Sequence, residues 1–351
     1  EFADFVETFG RVAIPKELPY CFFVEGGALA VENALKTAFD WKTRKNWQKG
    51  SETEGSMAIH FKQAFHGRSG YTLSLTNTSD PRKYQYFPLF DWPRIINPKL
   101  HFPITEENLQ ETIKNEQLAL VEIEQAILMN PDKVSCIIIE VIQAEGGDNH
   151  FRDEFFVELR KICDENDILL IFDEVQTGIG ITGKMWAFQN FSVIPDVISF
   201  GKKTQVCGIL ASKEKLNEVE NHVFAESSRI NSTFGGNFID MLRFQLVLEI
   251  IEKENLLENV QKQGAFLLKG LQNLQEKYPQ LISNARGKGL MCAFDLPTGE
   301  IRKDFQEKLY EENVIILICG DCSLRFRPHL NVSQEDLQYV LDKIEKIVQK
   351  Y

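Results

Sequence analysis

The sequence predicts an α/β protein. A large domain over residues 1–253 carries a mostly parallel sheet flanked by helices, and a smaller C-terminal α+β domain occupies residues 254–351. Three observations predict this. Val134–Ile139, Ile168–Phe172 and Val197–Phe200 are near-continuous apolar runs rich in β-branched residues, as in strands buried on both faces. Between the first two, Phe155, Leu159, Ile162 and Cys163 recur at helical spacing, which makes a strand–helix–strand unit. After Gly235-Gly236 the pattern changes to two long helical stretches followed by short strands.

In chain order, Glu1 to Arg11 is amphipathic and opens inside a helix, so an N-terminal segment is expected to precede it. Cys21–Val24 is a short strand, stopped by Gly26-Gly27, and Ala28 to Lys42 is a helix. Met57–Phe61 and Thr72–Leu75 are strand candidates, and Glu106 to Asn130 is a long helix ending near Pro131. In the second half, Asn237 to about Lys253 and Leu256 to about Tyr278 are helical. Gly289–Leu296, Val314–Ile318 and Leu324–Phe326 are short strands, and Gln334–Val348 closes the chain as a helix.

Composition narrows the function classes. Hydrophobic residues make up 43% and charged residues 26% of the chain, enough for a sizeable core and unlike a disordered segment. The net charge of −12, without a basic stripe, argues against nucleic acid or an anionic membrane as partner. No apolar run approaches the roughly 20 residues of a membrane span. The seven cysteines are scattered, as in a reduced, cytoplasmic protein. Cys319 and Cys322 have redox-pair spacing, but Arg325-Phe-Arg-Pro328 follows rather than a helix. The histidines lack ligand spacing, so no metal is expected.

The strand ends carry the chemistry. In open α/β sheets, ligands bind beyond the carboxyl ends of the strands. The three buried runs end in Glu140, with Gln143 and Glu145 close behind, in Asp173-Glu174, and in Gly201-Lys202-Lys203. This set suits an aldehyde cofactor such as pyridoxal phosphate. Its aldehyde needs an amine in an apolar or cation-rich setting, and Lys202 beside Lys203 offers one. Its ring nitrogen needs a carboxylate, which Asp173 supplies. Its phosphate needs free N–H groups at a helix start, as at Gly26-Gly27-Ala28. A nicotinamide dehydrogenase would want G-x-G-x-x-G after the first strand, and none opens a βαβ unit here.

Phe172-Asp-Glu-Val-Gln-Thr-Gly-Ile-Gly-Ile-Thr-Gly183 and Pro195-Asp-Val-Ile-Ser-Phe-Gly-Lys202 resemble the signature of class III (ω-) aminotransferases. The resemblance continues in His66-Gly-Arg-Ser-Gly70, Asn231-Ser-Thr-Phe-Gly-Gly-Asn237 and Leu324-Arg-Phe-Arg-Pro328, and covers essentially the whole chain. It implies the fold type I of pyridoxal-phosphate-dependent transferases, pyridoxal 5'-phosphate as cofactor, and a homodimer with shared active sites. Phe23 to Lys36, Gly201-Lys-Lys-Thr-Gln-Val-Cys-Gly208 and Ser228 to Phe234 look most like the lysine 6-aminotransferase branch. Most of the class has glycine after the Schiff-base lysine, where this chain has Lys203.

By that resemblance Lys202 binds the aldehyde and shuttles the proton, and Asp173 pairs with the ring nitrogen. Phe65 and Val175 cover the two ring faces, and Gln176 sits near the ring hydroxyl. Gly27 and Ala28 hold the phosphate with Ser232 or Thr233 from the partner subunit. Arg325 takes the carboxylate of glutamate or 2-oxoglutarate, Arg68 takes the distal carboxylate, and Asn231 lies on the substrate side. Glu145 is a movable acid that pairs with Arg325 when L-lysine is bound. Ornithine or 4-aminobutyrate as amino donor, or an inactive binding protein of the same fold, remain open alternatives.

Overall fold

All residues, 1–351, are described in the computed structural model. Seven strands form the large sheet: β1 (Tyr20–Val24), β2 (Met57–Phe61), β3 (Arg94–Ile95), β4 (Val134–Glu140), β5 (Leu169–Asp173), β6 (Val197–Phe200) and β7 (Cys207–Ala211). Their order is β1-β7-β6-β5-β4-β2-β3. β3, β2, β4, β5 and β6 are parallel, and β7 runs antiparallel to both β6 and β1. The carboxyl ends of β2, β4, β5 and β6 therefore share one edge.

Alternation along each strand divides the core in two. Cys136, Ile138, Leu169, Ile171 and Val197 meet Val31, Ala34, Leu35, Ala38 and Trp41 of the helix Gly27–Gln48. Ile137, Ile139, Leu170, Phe172 and Ile198 meet the opposite layer, including Phe155, Phe156 and Leu159 of the helix Asp153–Glu165. Both faces are buried, which explains why these strands read as continuous apolar runs. Phe5 and Phe9, on the helix Phe2–Val12, complete that second layer against Phe23, Phe200 and Phe244.

A second, antiparallel sheet has the order β10-β11-β9-β8, from β8 (Ser283–Lys288), β9 (Met291–Asp295), β10 (Leu317–Cys319) and β11 (Ser323–Arg325). Its core takes in the helices Leu256–Lys277 and Gln334–Val348, and also Ile142 and Ala144 from the loop that follows β4. That loop is thus packed into the neighbouring core at the active edge.

Several elements differ from the sequence reading. Thr72–Leu75 belongs to the helix Gly70–Leu75, not to a strand, because Ser69 and Thr72 form a capping box at its start. β7 and the helix Gly299–Glu311 had no strong apolar pattern of their own. β8 reads Ser-Asn-Ala-Arg-Gly-Lys, a polar strand whose pairing with β9 is broken by a register shift. No helix is long and apolar enough to cross a membrane.

Phe9 is fully buried and touches four other aromatic rings. Phe9→Ala is expected to lower stability by about 3–5 kcal/mol, measured by denaturant unfolding.

Candidate active site

Asp173 ends β5 between Glu140 of β4 and Ser199 of β6, its register partners. Its carboxylate is only 5% exposed. A buried charge needs partners, and Asp173 has three. His66 Nδ1 lies 2.8 Å from Oδ2, while Ser199 Oγ at 3.1 Å and the Val175 N–H at 3.0 Å donate to Oδ1. A carboxylate accepts, so His66 carries its proton on Nδ1. His66 Nε2 is buried without a partner.

The neighbouring acid has a different task. Glu174 is buried and accepts from the backbone N–H groups of Ala187 and Phe188 at 3.0 and 2.7 Å, anchoring the segment that follows β5. Asp173 is the one that lines the cavity.

The cavity holds about 280 Å³ and is lined by Gly27, Ala28, Phe65, Arg68, Asp173, Val175, Gln176 and Lys202, together with His66, Gly67 and Glu140. Gly26 has φ +91 and caps the helix Gly27–Gln48 without a side-chain bond, and no acid lies in its first turn. Its N-terminal N–H groups are therefore open to an anion. A Cβ on Gly27 would meet Val175 Cγ1 at 2.9 Å, so glycine is what allows the helix start to approach this wall. An anion cradle, two apolar walls at Phe65 and Val175, a buried carboxylate and a lysine amine fit pyridoxal phosphate in size and chemistry.

Lys202 follows β6 and has φ +55, the left-handed region, which costs a non-glycine residue about 1 kcal/mol. Such strain is tolerated where function needs a particular projection. Lys202 is exposed, and the next residue, Lys203, turns inward. Burial first, then Arg327 and Lys202, push the Lys203 pKa down to about 7. Lys203 donates to the Gln176 carbonyl and supports that wall.

A second cavity of about 620 Å³ shares Gln176 and Lys202 with the first and adds Lys203, Arg325, Arg327 and His329. Arg325 Nη1 donates to the Ala144 carbonyl at 2.9 Å and to Gln176 Oε1 at 3.3 Å. Arg327 is committed elsewhere: it grips the fully buried Asp148, with Nη1 at 2.8 Å from Oδ2. Glu145 is not brought to Arg325; its carboxylate lies 2.5 Å from Lys83 Nζ. Asn231, Ser232 and Thr233 stand on a largely exposed segment and line neither cavity.

Two residues of the cavity, and one that meets Glu145 beside it, were given no role from the sequence. His66 lies in the His66–Gly70 motif, whose first residue could have been flagged. Glu140 was visible only as a strand end. It accepts from the Phe65 and Ala144 N–H groups at 2.9 and 3.1 Å and so ties two wall segments together. Lys83 sits on a surface turn with no local signal.

The aminotransferase class-III family profile matches residues 1–348, and the chain belongs to this family of pyridoxal-phosphate-dependent enzymes. It is 50% identical over 336 residues to an L-lysine-epsilon aminotransferase of Mycobacterium tuberculosis, covering 95% of this chain and 74% of that one. It is 47% identical to the L-lysine-epsilon aminotransferase of Amycolatopsis lactamdurans, covering 98% and 76% of the two chains. The solved lysine aminotransferase of M. tuberculosis in its internal aldimine form superimposes with a TM-score of 0.96 at 48% identity, covering 99% of this chain and 79% of that one.

Burial, with Asp173 adding to it, raises the Glu140 pKa from an ordinary 4.5 to about 7. The folded protein thus holds a proton that the unfolded chain releases, and stability falls as pH rises between those values. Thermal unfolding of the cofactor-free protein from pH 4.5 to 8 is expected to show this fall, and Glu140→Gln to flatten it.

Proposed function

We propose that the enzyme moves the ε-amino group of L-lysine to 2-oxoglutarate. The products are L-glutamate and 2-aminoadipate 6-semialdehyde, which cyclises to piperideine-6-carboxylate. The observation that carries the reading is Arg325. Its Nε is buried with no acceptor, beside a cavity that also holds Lys202. A guanidinium whose Nη1 meets only neutral oxygens and whose Nε has no partner suits a carboxylate next to the reacting carbon. Relatives named for lysine, at 47–50% identity, support the choice of donor.

Pyridoxal phosphate, when bound, supplies an aldehyde and an electron sink. The chain's own groups do the rest. Gly27 and Ala28 would give N–H groups to its phosphate, and Phe65 and Val175 would confine its ring. Asp173, held by His66, Ser199 and the Val175 N–H, keeps a negative charge where a protonated ring nitrogen is stabilised. Gln176, on the cavity wall, would face the ring hydroxyl. Lys202 would hold the cofactor's aldehyde through its amine, and would be the group that carries the proton on and off the reacting carbon.

Arg325 binds the carboxylate of glutamate or 2-oxoglutarate that lies beside that carbon. Arg68, exposed on the cavity wall, binds the distal carboxylate. L-Lysine instead presents methylenes to Arg325, and Glu145 then neutralises the guanidinium. Ser232 or Thr233 acts across a homodimer, at the phosphate in the other subunit's site, and Asn231 lies on the substrate side. The exposed aromatics Tyr86, Phe87 and Phe234 support a covered surface there. The free thiols support a reducing, cytoplasmic setting. A domain boundary near residue 254 fits the two separate cores.

The test is product trapping with L-lysine and 2-oxoglutarate, run beside ornithine and 4-aminobutyrate. L-Lysine is expected to be the best donor, and a faster rate with either rival would replace it. Lys202→Ala is expected to cut turnover at least about 100-fold. Glu145→Ala is expected to slow lysine turnover more than glutamate turnover.

A further inference from the structure

Glu145 and Arg325 sit on touching segments, yet their side chains diverge. Arg325 is anchored on the Ala144 carbonyl, one residue from Glu145. The Glu145 backbone is itself pinned, its carbonyl accepting from the Gly320 N–H at 2.8 Å. Only its side chain is left to choose a direction, and it turns away. Oε1 lies 2.5 Å from Lys83 Nζ and accepts from Thr78 Oγ1 at 3.0 Å. Lys83 ends the short turn Pro81–Lys83, which Asp80 caps. Its Nζ also donates to Thr78 Oγ1 at 3.2 Å and lies 5.8 Å from the centre of the Phe65 ring.

The Glu145 carboxylate thus sits on Lys83, while its backbone neighbour Ala144 holds Arg325. The Lys83 and Glu145 side chains are 29% and 26% exposed, so their pair is easily broken and Lys83 can be rehydrated when it is left alone. The Nε of Arg325, by contrast, is buried without a partner. A flexible ammonium suits a partner that must let go, whereas a planar guanidinium suits a bidentate carboxylate.

We infer that Lys83 is a specificity-positioning residue: it competes with Arg325 for the Glu145 carboxylate and holds Arg325 open for a dicarboxylate. This rests on the proposed role of Arg325. With a dicarboxylate bound, Arg325 is neutralised by the substrate, and Glu145 is repelled towards Lys83. With a donor whose reacting end is uncharged methylene, Glu145 crosses to Arg325 and Lys83 faces water. Lys83 sets the balance between these arrangements, and a substrate shifts it only by its differential affinity for them.

The test uses the holoenzyme and follows each half-reaction separately by cofactor absorbance, with L-glutamate and with L-lysine as donor. Lys83→Met releases Glu145 to Arg325. It is expected to raise KM for L-glutamate about five-fold relative to KM for L-lysine, the upper end of what a partly exposed ion pair supplies. Lys83→Gln is expected to do the same, and Lys83→Arg to restore the wild-type ratio. In a Glu145→Gln background, Lys83→Met is expected to leave the ratio where that background sets it. An equal rise for both donors, no rise, or a shift that persists in the Glu145→Gln background overturns the inference. If the wild type turns over glutamate but not lysine, the donor assignment fails. KM for glutamate compared between Lys83→Met in the wild-type and Glu145→Gln backgrounds still decides the role of Lys83.

Discussion

The burial of Asp173 constrains the rest of the site. A carboxylate at the end of a central parallel strand, almost out of water, is stable only with charge-compensating donors on several sides. Here those donors come from three places: His66 after β2, Ser199 on β6, and the backbone N–H of Val175 beyond β5. Satisfying one carboxylate therefore fixes the mutual position of the segments that carry Phe65, Val175 and Lys202. Glu140, one strand away, cannot share that charge comfortably, and its pKa rises to about 7 through burial first and Asp173 next. Two adjacent acids are thereby given different roles, one a standing charge and one a structural acceptor.

The substrate side depends on the second sheet. Arg286 is buried and donates to the Gly147 and Asp148 carbonyls, with Nε 3.1 Å from the latter. It is balanced by Asp295 at 2.9 Å. Arg327 grips the Asp148 carboxylate, and Gly320 holds the Glu145 carbonyl. A Cβ at Gly320 would sit 2.9 Å from the Gly146 carbonyl, so the hairpin tip can approach only as glycine. The backbone carrying Glu145 is thus clamped by β8, β11 and the turn between β10 and β11. A movable side chain on a fixed backbone can choose between two cations, which a mobile loop could not do reproducibly.

Much of this was legible in the sequence where burial imposes a simple pattern. β6 and the closing helix Gln334–Val348 fall where the apolar spacing places them. Asp173 and Lys202 were legible because each directly follows such a run. What was not legible depends on three-dimensional pairing. β7 is a short Cys-Gly-Ile-Leu-Ala stretch, and its Gly208 packs against the Phe22 carbonyl of a strand nearly two hundred residues away in the chain. β8 buries Arg286 through contacts with a distant loop, so its polar letters do not look like a strand. The lowered pKa of Lys203 was not legible either, because it follows from the chain turning sharply at Lys202 and sending the next side chain inward. Lys83 reaches Glu145 from a surface turn 62 positions away, with no motif to announce it.

That last pair of lysines sets the most direct test of the account. Lys202 lines the cavity with Asp173, whereas the Lys203 amine, its pKa pushed down to about 7 by burial, is turned to the Gln176 carbonyl. Reducing the cofactor-loaded enzyme with borohydride and mapping its peptides decides between them. The account predicts that the pyridoxyl group is fixed on Lys202 alone. Its recovery on Lys203, or on neither residue, would contradict it.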